Sequence, residues 1–155
     1  LSRCNMNSIT FDSPIGMLTL IGTNSALTSI CFNGAGNSFN PCPLLLRTIT
    51  ELREYFAGTR KEFDIPLAPE GTDFQKKVWE ELQNIPYGQT RSYGDVAKAV
   101  GSPRAARAVG TANNRNPIPI LIPCHRVIGA DGDMTGYGGG LDKKEFLLKL
   151  EHEHK

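Results

Sequence analysis

The chain has little of what marks secreted, membrane or strongly basic proteins. Its 155 residues include four cysteines, irregularly spaced and without a Cys-x-x-Cys pair, which does not fit a disulfide-rich secreted scaffold. No apolar run approaches the roughly 18 residues that span a bilayer, and residues 1–5 lack the apolar core of a secretory signal. We therefore predict no membrane partner and a location in the reducing cytoplasm, or in the nucleus if the source is eukaryotic.

The chain also has almost no net charge, but its charges are unevenly distributed. The total of +1, from 17 basic and 16 acidic side chains, argues mildly against a polyanionic partner when it is taken alone. Residues 51–85 are acidic, with a net charge of −3, whereas residues 86–126 carry six cations against Asp95 and a net charge of +5. A basic segment of this size indicates a local patch that could contact nucleic acid.

Hydrophobic periodicity predicts an α+β fold with two domains. Short β-type runs occur at 17–21 and 27–32, and helical spacing begins near Leu44. Prolines and glycine at 66–71 mark a boundary, so we predict an N-terminal domain at 1–69 with a small antiparallel sheet and a helix. The C-terminal domain, 70–155, is predicted to be mainly helical, with a helix-turn-helix and an active-site loop.

The basic segment coincides with the predicted helix-turn-helix. The first helix spans 92–100, and Ser102 as an N-cap followed by Pro103 predicts a second helix from Arg104 to about residue 114. The second helix is built almost entirely of small residues, so its backbone can approach another surface closely, and an Arg rising from it could enter a groove. The alternative is a solvated face on an ordinary helical hairpin.

The most unusual stretch surrounds a single thiol. Three prolines between residues 117 and 123 exclude a regular helix or central strand, and we predict a stiff, buried, extended segment that delivers Cys124. His125 offers a base, and Glu151, on a final helix whose Phe146 and Leu150 are expected to face inward, could orient it as in a catalytic triad. The alternative is an inert buried thiol beside a core histidine.

These motifs together resemble a known family. The chain contains Pro-Cys-His-Arg-Val at 123–127, Arg-Ala-Ala-Arg-Ala-Val-Gly at 104–110, Asn-Pro at 116–117, and Tyr-x-Gly-Gly-Leu at 137–141, followed by Glu151. With these residues and spacings it resembles the O(6)-alkylguanine-DNA alkyltransferases, also called methylated-DNA–protein-cysteine methyltransferases. The resemblance is close over 72–151 and general in the N-terminal half.

The resemblance implies a single-turnover DNA repair protein that binds the minor groove of double-stranded DNA and flips the damaged base. The alkyl group of O(6)-alkylguanine, and also of O(4)-alkylthymine, would move to the protein's own cysteine. By resemblance, Cys124 is the acceptor, His125 is a base acting through water, and Glu151 orients His125. Asn116 would brace the active-site loop against the helix-turn-helix, and Tyr93 would contact a phosphate and donate a proton to the departing guanine.

The remaining implied site residues bind DNA or the flipped base. Arg107 would fill the space of that base, and the other expected DNA contacts are Tyr93, Arg104, Ala105, Ala106 and Arg115. The expected base pocket comprises Val127, Tyr137, Gly138 and Gly139.

No metal or cofactor is expected. No His precedes His125, and the three N-terminal cysteines make an improbable metal site. A monomer is expected, and cooperative binding to DNA is left open. Two other classes of function remain: a helix-turn-helix regulator without chemistry, and a cysteine hydrolase that turns over repeatedly.

Overall fold

The computed structural model describes residues 6–32, 39–129 and 140–155. Tyr137, Gly138 and Gly139 of the expected base pocket therefore lie outside the described residues. The α+β prediction is confirmed, and the chain divides into two compact units, Leu1–Glu70 and Gly71–Lys155. None of the helices in the described ranges has the length and apolar character needed to cross a bilayer.

The first unit contains an antiparallel sheet and one helix. The strand order is β3-β2-β1-β4, and β1 and β2 are joined by a two-residue turn in which Ser13 pairs with Gly16. Gly16 has φ of +107°, a conformation open mainly to glycine, which explains why this turn carries that residue. The strands are β1 (Asn7–Ser13), β2 (Gly16–Gly22), β3 (Leu27–Phe32) and β4 (Phe39–Asn40).

Helix α1 (Pro43–Phe56) packs against this sheet through one apolar face. Leu45, Leu52 and Tyr55 on that face are fully buried, as are Leu18 and Leu20 of β2, the strand beside β1. Burying side chains of this size contributes about 1.5–3 kcal/mol each. The first unit thus has its own hydrophobic core.

The second unit begins with helix α2 (Asp73–Leu82). Its N-terminus has a capping box: the Gln75 N–H donates to the Thr72 hydroxyl, and the Thr72 N–H donates to the Gln75 side chain. From the buried face of α2, the Trp79 Nε1–H donates to the Ala112 carbonyl oxygen at 2.8 Å. This bond fixes α2 against the helix that contains Ala112.

Helices α3 (Tyr93–Ala99) and α4 (Ala106–Asn114) form the predicted helix-turn-helix. Ser92 and Asp95 cap α3 reciprocally. The prediction that α4 starts at Arg104, with Ser102 as its N-cap, is wrong, because Ser102 accepts from the Ala105 N–H in a separate turn. The helix therefore begins two residues later than predicted.

The segment after α4 is buried, but it is not extended as predicted. The Ile122 N–H bonds to the Ile118 carbonyl at 3.0 Å, which turns the chain back on itself, and Ile120 adopts φ of +76°. A β-branched residue in this region is strained by about 1–3 kcal/mol and persists only where its surroundings fix it. Ile118, Ile120 and Ile122 are all almost completely buried, and their packing holds the turn.

A 3₁₀ turn at Cys124–Arg126 follows, and then β6 (Val127–Ile128). Strand β6 pairs in parallel with β5 (Arg91–Ser92), so that Arg91 lies beside Val127. This pairing connects the start of α3 directly to the residues after the thiol.

Helix α5 (Leu141–His154) completes the unit. Its buried side chains are Lys144, Leu147, Leu150 and Glu151. The expectation that Phe146 faces inward is wrong, since 39% of it is exposed. The buried stripe instead includes two ionisable residues, which places charged groups next to the thiol turn.

Candidate active site and DNA-facing surface

The thiol of Cys124 lies in a tight turn inside the second unit. Only 4% of Cys124 is exposed, and the Arg126 N–H donates to the Pro123 carbonyl at 3.0 Å to close the turn. Neighbours on an extended strand point to opposite faces, whereas a 3₁₀ turn brings successive side chains round one axis. If the side chains of Cys124 and His125 are to act together, the chain has to turn between them, and it does so here.

His125 and Glu151 form a fully buried pair. The His125 Nε2 atom lies 2.7 Å from the Glu151 Oε2 atom. An ionised carboxylate can only accept, so Nε2 carries the proton and Nδ1 keeps its lone pair. Nδ1 is buried and has no hydrogen-bond partner among the residues that the structure describes. This tautomer leaves His125 able to accept a proton.

Glu151 also pairs with the guanidinium of Arg126. The Arg126 Nε atom donates to Oε1 at 2.8 Å and a terminal nitrogen donates to Oε2 at 2.9 Å, and the guanidinium also donates to the Ile85 carbonyl. Such a bidentate pair is strong and geometrically specific. Counting Arg126 with the cations of a DNA-facing patch is therefore wrong, because its charge is buried and neutralised within the unit.

These contacts shift the pKa values of both partners. Burial raises the pKa of the Glu151 carboxyl, but its hydrogen bonds with His125 and Arg126 and the charge of Arg126 outweigh burial and hold the pKa well below its usual range. Burial lowers the pKa of His125, and this shift exceeds the opposing effect of Glu151. At neutral pH the pair is consequently a carboxylate and a neutral imidazole.

The thiol itself is protonated at rest. Burial raises the pKa of Cys124 to about 11, although the Asn116 side chain and the positive charge of Lys144 both lower it in part. Lys144 is fully buried on α5, and its Nζ atom donates to the Val127 carbonyl at 2.7 Å. The site therefore needs a base to form the thiolate, and it contains a cation that favours the thiolate once formed.

Two asparagines hold the segment around the thiol. Asn116 donates to the Ile122 carbonyl at 2.8 Å and accepts from the Ile118 N–H, so both of these bonds fix the turn before Cys124. Asn113 of α4 donates to the Cys124 carbonyl at 3.3 Å, and this bond links the helix-turn-helix directly to the backbone of Cys124.

The expected DNA contacts lie on α3, on α4 and on the residues flanking α4. Arg104, Arg107 and Arg115 are exposed, so their charges can meet a phosphate backbone, while Ala105 and Ala106 are half-buried. Tyr93 begins α3, and its ring lies beside Gly110 of α4, where an added Cβ would come within 3.8 Å of it. Val127 is fully buried beside the thiol turn.

Three contributors were not singled out from the sequence: Lys144, Asn113 and the buried role of Arg126. Neither Lys144 nor Asn113 belongs to a motif of the sequence. The chain does carry one indirect signal, since Lys144 and Glu151 are seven residues apart and hence on one face of α5. Within the described ranges, no cluster of three or more His, Cys, Asp or Glu side chains could hold a metal ion.

Comparisons with known proteins identify the family of the chain. Residues 73–153 match the family described as "6-O-methylguanine DNA methyltransferase, DNA binding domain", and residues 6–69 match its "ribonuclease-like domain". A methylated-DNA–protein-cysteine methyltransferase of Methanosarcina acetivorans is 53% identical over 91% of this chain and 95% of its own. A protein of the same name from Mycolicibacterium paratuberculosis is 52% identical over 94% of this chain and 92% of its own.

A solved structure is similar over the whole fold. Mycobacterium tuberculosis OGT in complex with DNA has a TM-score of 0.88 and 50% identity, covering 96% of this chain and 94% of that one. The chain belongs to the 6-O-methylguanine DNA methyltransferase family, as its motifs indicated. It is a DNA-binding methyltransferase of direct-reversal DNA repair.

Replacing Lys144 by Met should slow alkylation of Cys124. Because the buried ammonium lowers the pKa of the thiol, its loss leaves less thiolate at any pH below the thiol pKa. We expect the pH profile of iodoacetamide labelling at Cys124, read by peptide mass spectrometry, to shift to higher pH. The exposed thiol of Cys31 is the internal reference, and Lys149→Met, on the exposed face of α5, is the matched control. An unshifted profile would contradict the charge effect.

Replacing Glu151 by Gln should destabilise the protein and reduce its sensitivity to acid. The change leaves the Arg126 charge buried without its carboxylate, at a cost of about 3–5 kcal/mol. The folded pKa of Glu151 is lowered, so its contribution is complete above the ordinary value of about 4.3 and is lost as the pH falls below it. Between pH 7 and pH 3.5, the Tm of Glu151→Gln should therefore be lower than that of the wild type and should change less with pH.

The exposed Glu153, also on α5, offers the control Glu153→Gln, which should follow the wild-type Tm curve. A Glu151→Gln protein as stable as wild type at pH 7 would show that the buried pair does not support the fold.

Proposed function

We propose that Cys124 accepts the alkyl group of O(6)-alkylguanine, and of O(4)-alkylthymine, in double-stranded DNA. The sulfur attacks the alkyl carbon in line, a carbon–sulfur bond forms, and the bond from that carbon to the base oxygen breaks. The observation that carries this proposal is the buried series Cys124, His125 and Glu151, in which Glu151 lies 2.7 Å from His125. It has the order of nucleophile, base and orienting carboxylate that nucleophilic catalysis requires.

The proton of the thiol leaves through His125. A thiol whose pKa is about 11 is a poor nucleophile until it is deprotonated, and the unoccupied lone pair of His125 Nδ1 can take that proton through one water molecule. The neighbouring Lys144 ammonium favours the thiolate that results. Glu151 stabilises the imidazolium that forms on His125 for the duration of the step.

The departing base also needs a proton and a pocket. We assign the proton donation to Tyr93, the residue at the start of α3, which would also contact a phosphate. Val127, which is fully buried beside the thiol turn, would form one wall of the base pocket. Tyr137, Gly138 and Gly139 complete the pocket in this proposal.

Reaching the alkyl group requires the base to leave the helix. Extruding a base costs a few kcal/mol, and least for a poorly paired lesion. We propose that α4 enters the minor groove and that Arg107, exposed near its start, fills the gap left by the base. Arg104, Ala105, Ala106 and Arg115 would contact the DNA backbone, which makes binding tolerant of sequence and sensitive to salt.

Each molecule would react once. A thioether is a poor leaving group, and the alkyl group has no second nucleophile to move to among the described residues around Cys124. All proposed site residues come from one chain within 70–155, which supports a monomer as the active form and residues 1–69 as a supporting domain. The free thiols of Cys31, Cys42 and Cys124 favour a reducing cytoplasm.

Incubation with a duplex containing O(6)-methylguanine tests the proposed function. We expect intact-mass analysis to show one added methyl group per chain, mapped to Cys124, with stoichiometric loss of the lesion from the DNA. The Cys124→Ser protein should stay unmodified, and Cys31, whose side chain is exposed, reports on unspecific alkylation. Repeated turnover of simple esters without a stable adduct would instead favour a hydrolase, and binding to a preferred undamaged operator would favour a regulator.

Replacing Arg107 by Ala should impair repair of duplex DNA more than reaction with free O(6)-benzylguanine. The free base needs no extrusion, so the side chain that fills the gap has no role in its reaction. We expect the rate constant for the duplex to fall by about tenfold, the equivalent of ~1.4 kcal/mol, and that for the free base to stay within about twofold. Arg107→Lys keeps the charge and separates phosphate attraction from gap filling. Equal losses on both substrates would refute the extrusion role.

A further inference from the structure

Asn113 lies where the DNA-binding helix meets the nucleophile. It occupies the last turn of α4, is 1% exposed, and donates from Nδ2 to the Cys124 carbonyl at 3.3 Å. Its Oδ1 atom is buried and has no hydrogen-bond partner among the described residues. Burying an amide with half of its hydrogen-bonding capacity unused is costly, and an apolar side chain of similar volume would avoid the cost. The hydrogen bond that Asn113 donates to the Cys124 carbonyl is therefore the interaction that explains an asparagine at this position.

The position of Asn113 on α4 connects two surfaces. Arg107, which is exposed, precedes it by six residues, a distance of about 9 Å along the helix axis and roughly 240° around it. One side of α4 can consequently contact DNA while the other holds the peptide of Cys124. Trp79 keeps the buried side in place by its 2.8 Å bond to the neighbouring Ala112 carbonyl.

The contacts of Asn113 differ in kind from those of Asn116. Asn116 follows α4, and its side chain bonds to the Ile118 N–H, to the Ile122 carbonyl and to the Cys124 thiol, so its contacts hold the turn before the thiol and the thiol itself. Asn113 joins α4 to the nucleophile's own carbonyl, and any shift of α4 on binding DNA is transmitted to that peptide. Two elements joined by a buried hydrogen bond move together or lose the bond.

We propose that Asn113 is a positioning residue that couples the seating of α4 on DNA to the placement of Cys124. This inference rests on the proposed function, because it assumes that α4 binds the duplex and that Cys124 receives the alkyl group. The bond matters chiefly for lesions within DNA, since a free modified base does not engage α4. A single buried hydrogen bond of this kind can account for about a tenfold change in rate.

The test compares two substrates in three variants. Asn113→Leu removes the amide at similar volume, and Asn113→Ala removes it with a smaller side chain, so that one variant remains informative if the other misfolds. Asn114→Leu makes the same change at the exposed neighbouring position of α4. For each folded protein, checked by circular dichroism and Tm, the rate constants of methyl transfer from a duplex and of benzyl transfer from free O(6)-benzylguanine are measured.

The ratio of the duplex rate constant to the free-base rate constant tests whether Asn113 couples α4 to Cys124. We expect it to fall about tenfold in both Asn113 variants and to stay at the wild-type value in Asn114→Leu. A ratio within about twofold of wild type in the Asn113 variants, whether both rates persist or both fall in parallel, overturns the coupling role. Failure of the wild-type protein to transfer any methyl group from DNA to Cys124 would overturn the proposed function itself, which separates the two conclusions.

Discussion

The carboxylate of Glu151 is the group on which the arrangement of the site depends. It lies in the last turns of α5 and is almost completely removed from solvent, and it accepts from His125, from Arg126 and from the Gly88 N–H at 3.2 Å. A buried carboxylate is tolerated only when its oxygens are well satisfied. Because the hydrogen bonds to Glu151 come from the thiol turn and from the loop after α2, both segments pack against α5 at this carboxylate.

The double use of this carboxylate has an electrostatic consequence. If Glu151 faced His125 alone, the pair would favour a charged imidazolium, which cannot accept a proton. The guanidinium of Arg126 compensates most of the carboxylate charge and, together with burial, helps to keep His125 neutral. The same guanidinium lies 5.7 Å from the centre of the Tyr87 ring, an apolar and polarisable neighbour for a charge that has left water. Arg126 therefore helps to set the protonation state of His125 without contacting a substrate.

Local patterns in the sequence predicted the α+β fold class, which the structure confirms, and motifs predicted the site residues. Thr72 and Gln75 predict a helix start because their capping box depends on three successive peptide units alone, and it forms as expected. The start of α4 could not be placed equally well, since Ser102 is as well suited to a turn as to an N-cap, and the chain uses it for a turn. The proline-rich segment was predicted to be buried, but its reversal at Ile120 depends on how three isoleucines pack.

The contacts that the sequence could not show are those between distant residues. Arg126 and Glu151 are 25 residues apart, and nothing in their local surroundings distinguishes a buried pair from two surface charges. Lys144 is similar, because lysine is rarely buried and only the position of the Val127 carbonyl explains it. Asn113 belongs to no motif, and only its 3.3 Å bond to the Cys124 carbonyl distinguishes it from other asparagines of the chain.

The near-complete burial of Cys124 affects the protein after it has reacted. A filled core resists additional carbon atoms, and inserting a methylene-sized group typically costs about 1–3 kcal/mol through displaced neighbours. Under the proposed reaction the added alkyl group stays on a side chain that is only 4% exposed, beside a strained turn at Ile120. An alkylated molecule would thus differ from an unreacted one in stability as well as in mass. Its lower stability would mark the molecules that have already removed a lesion.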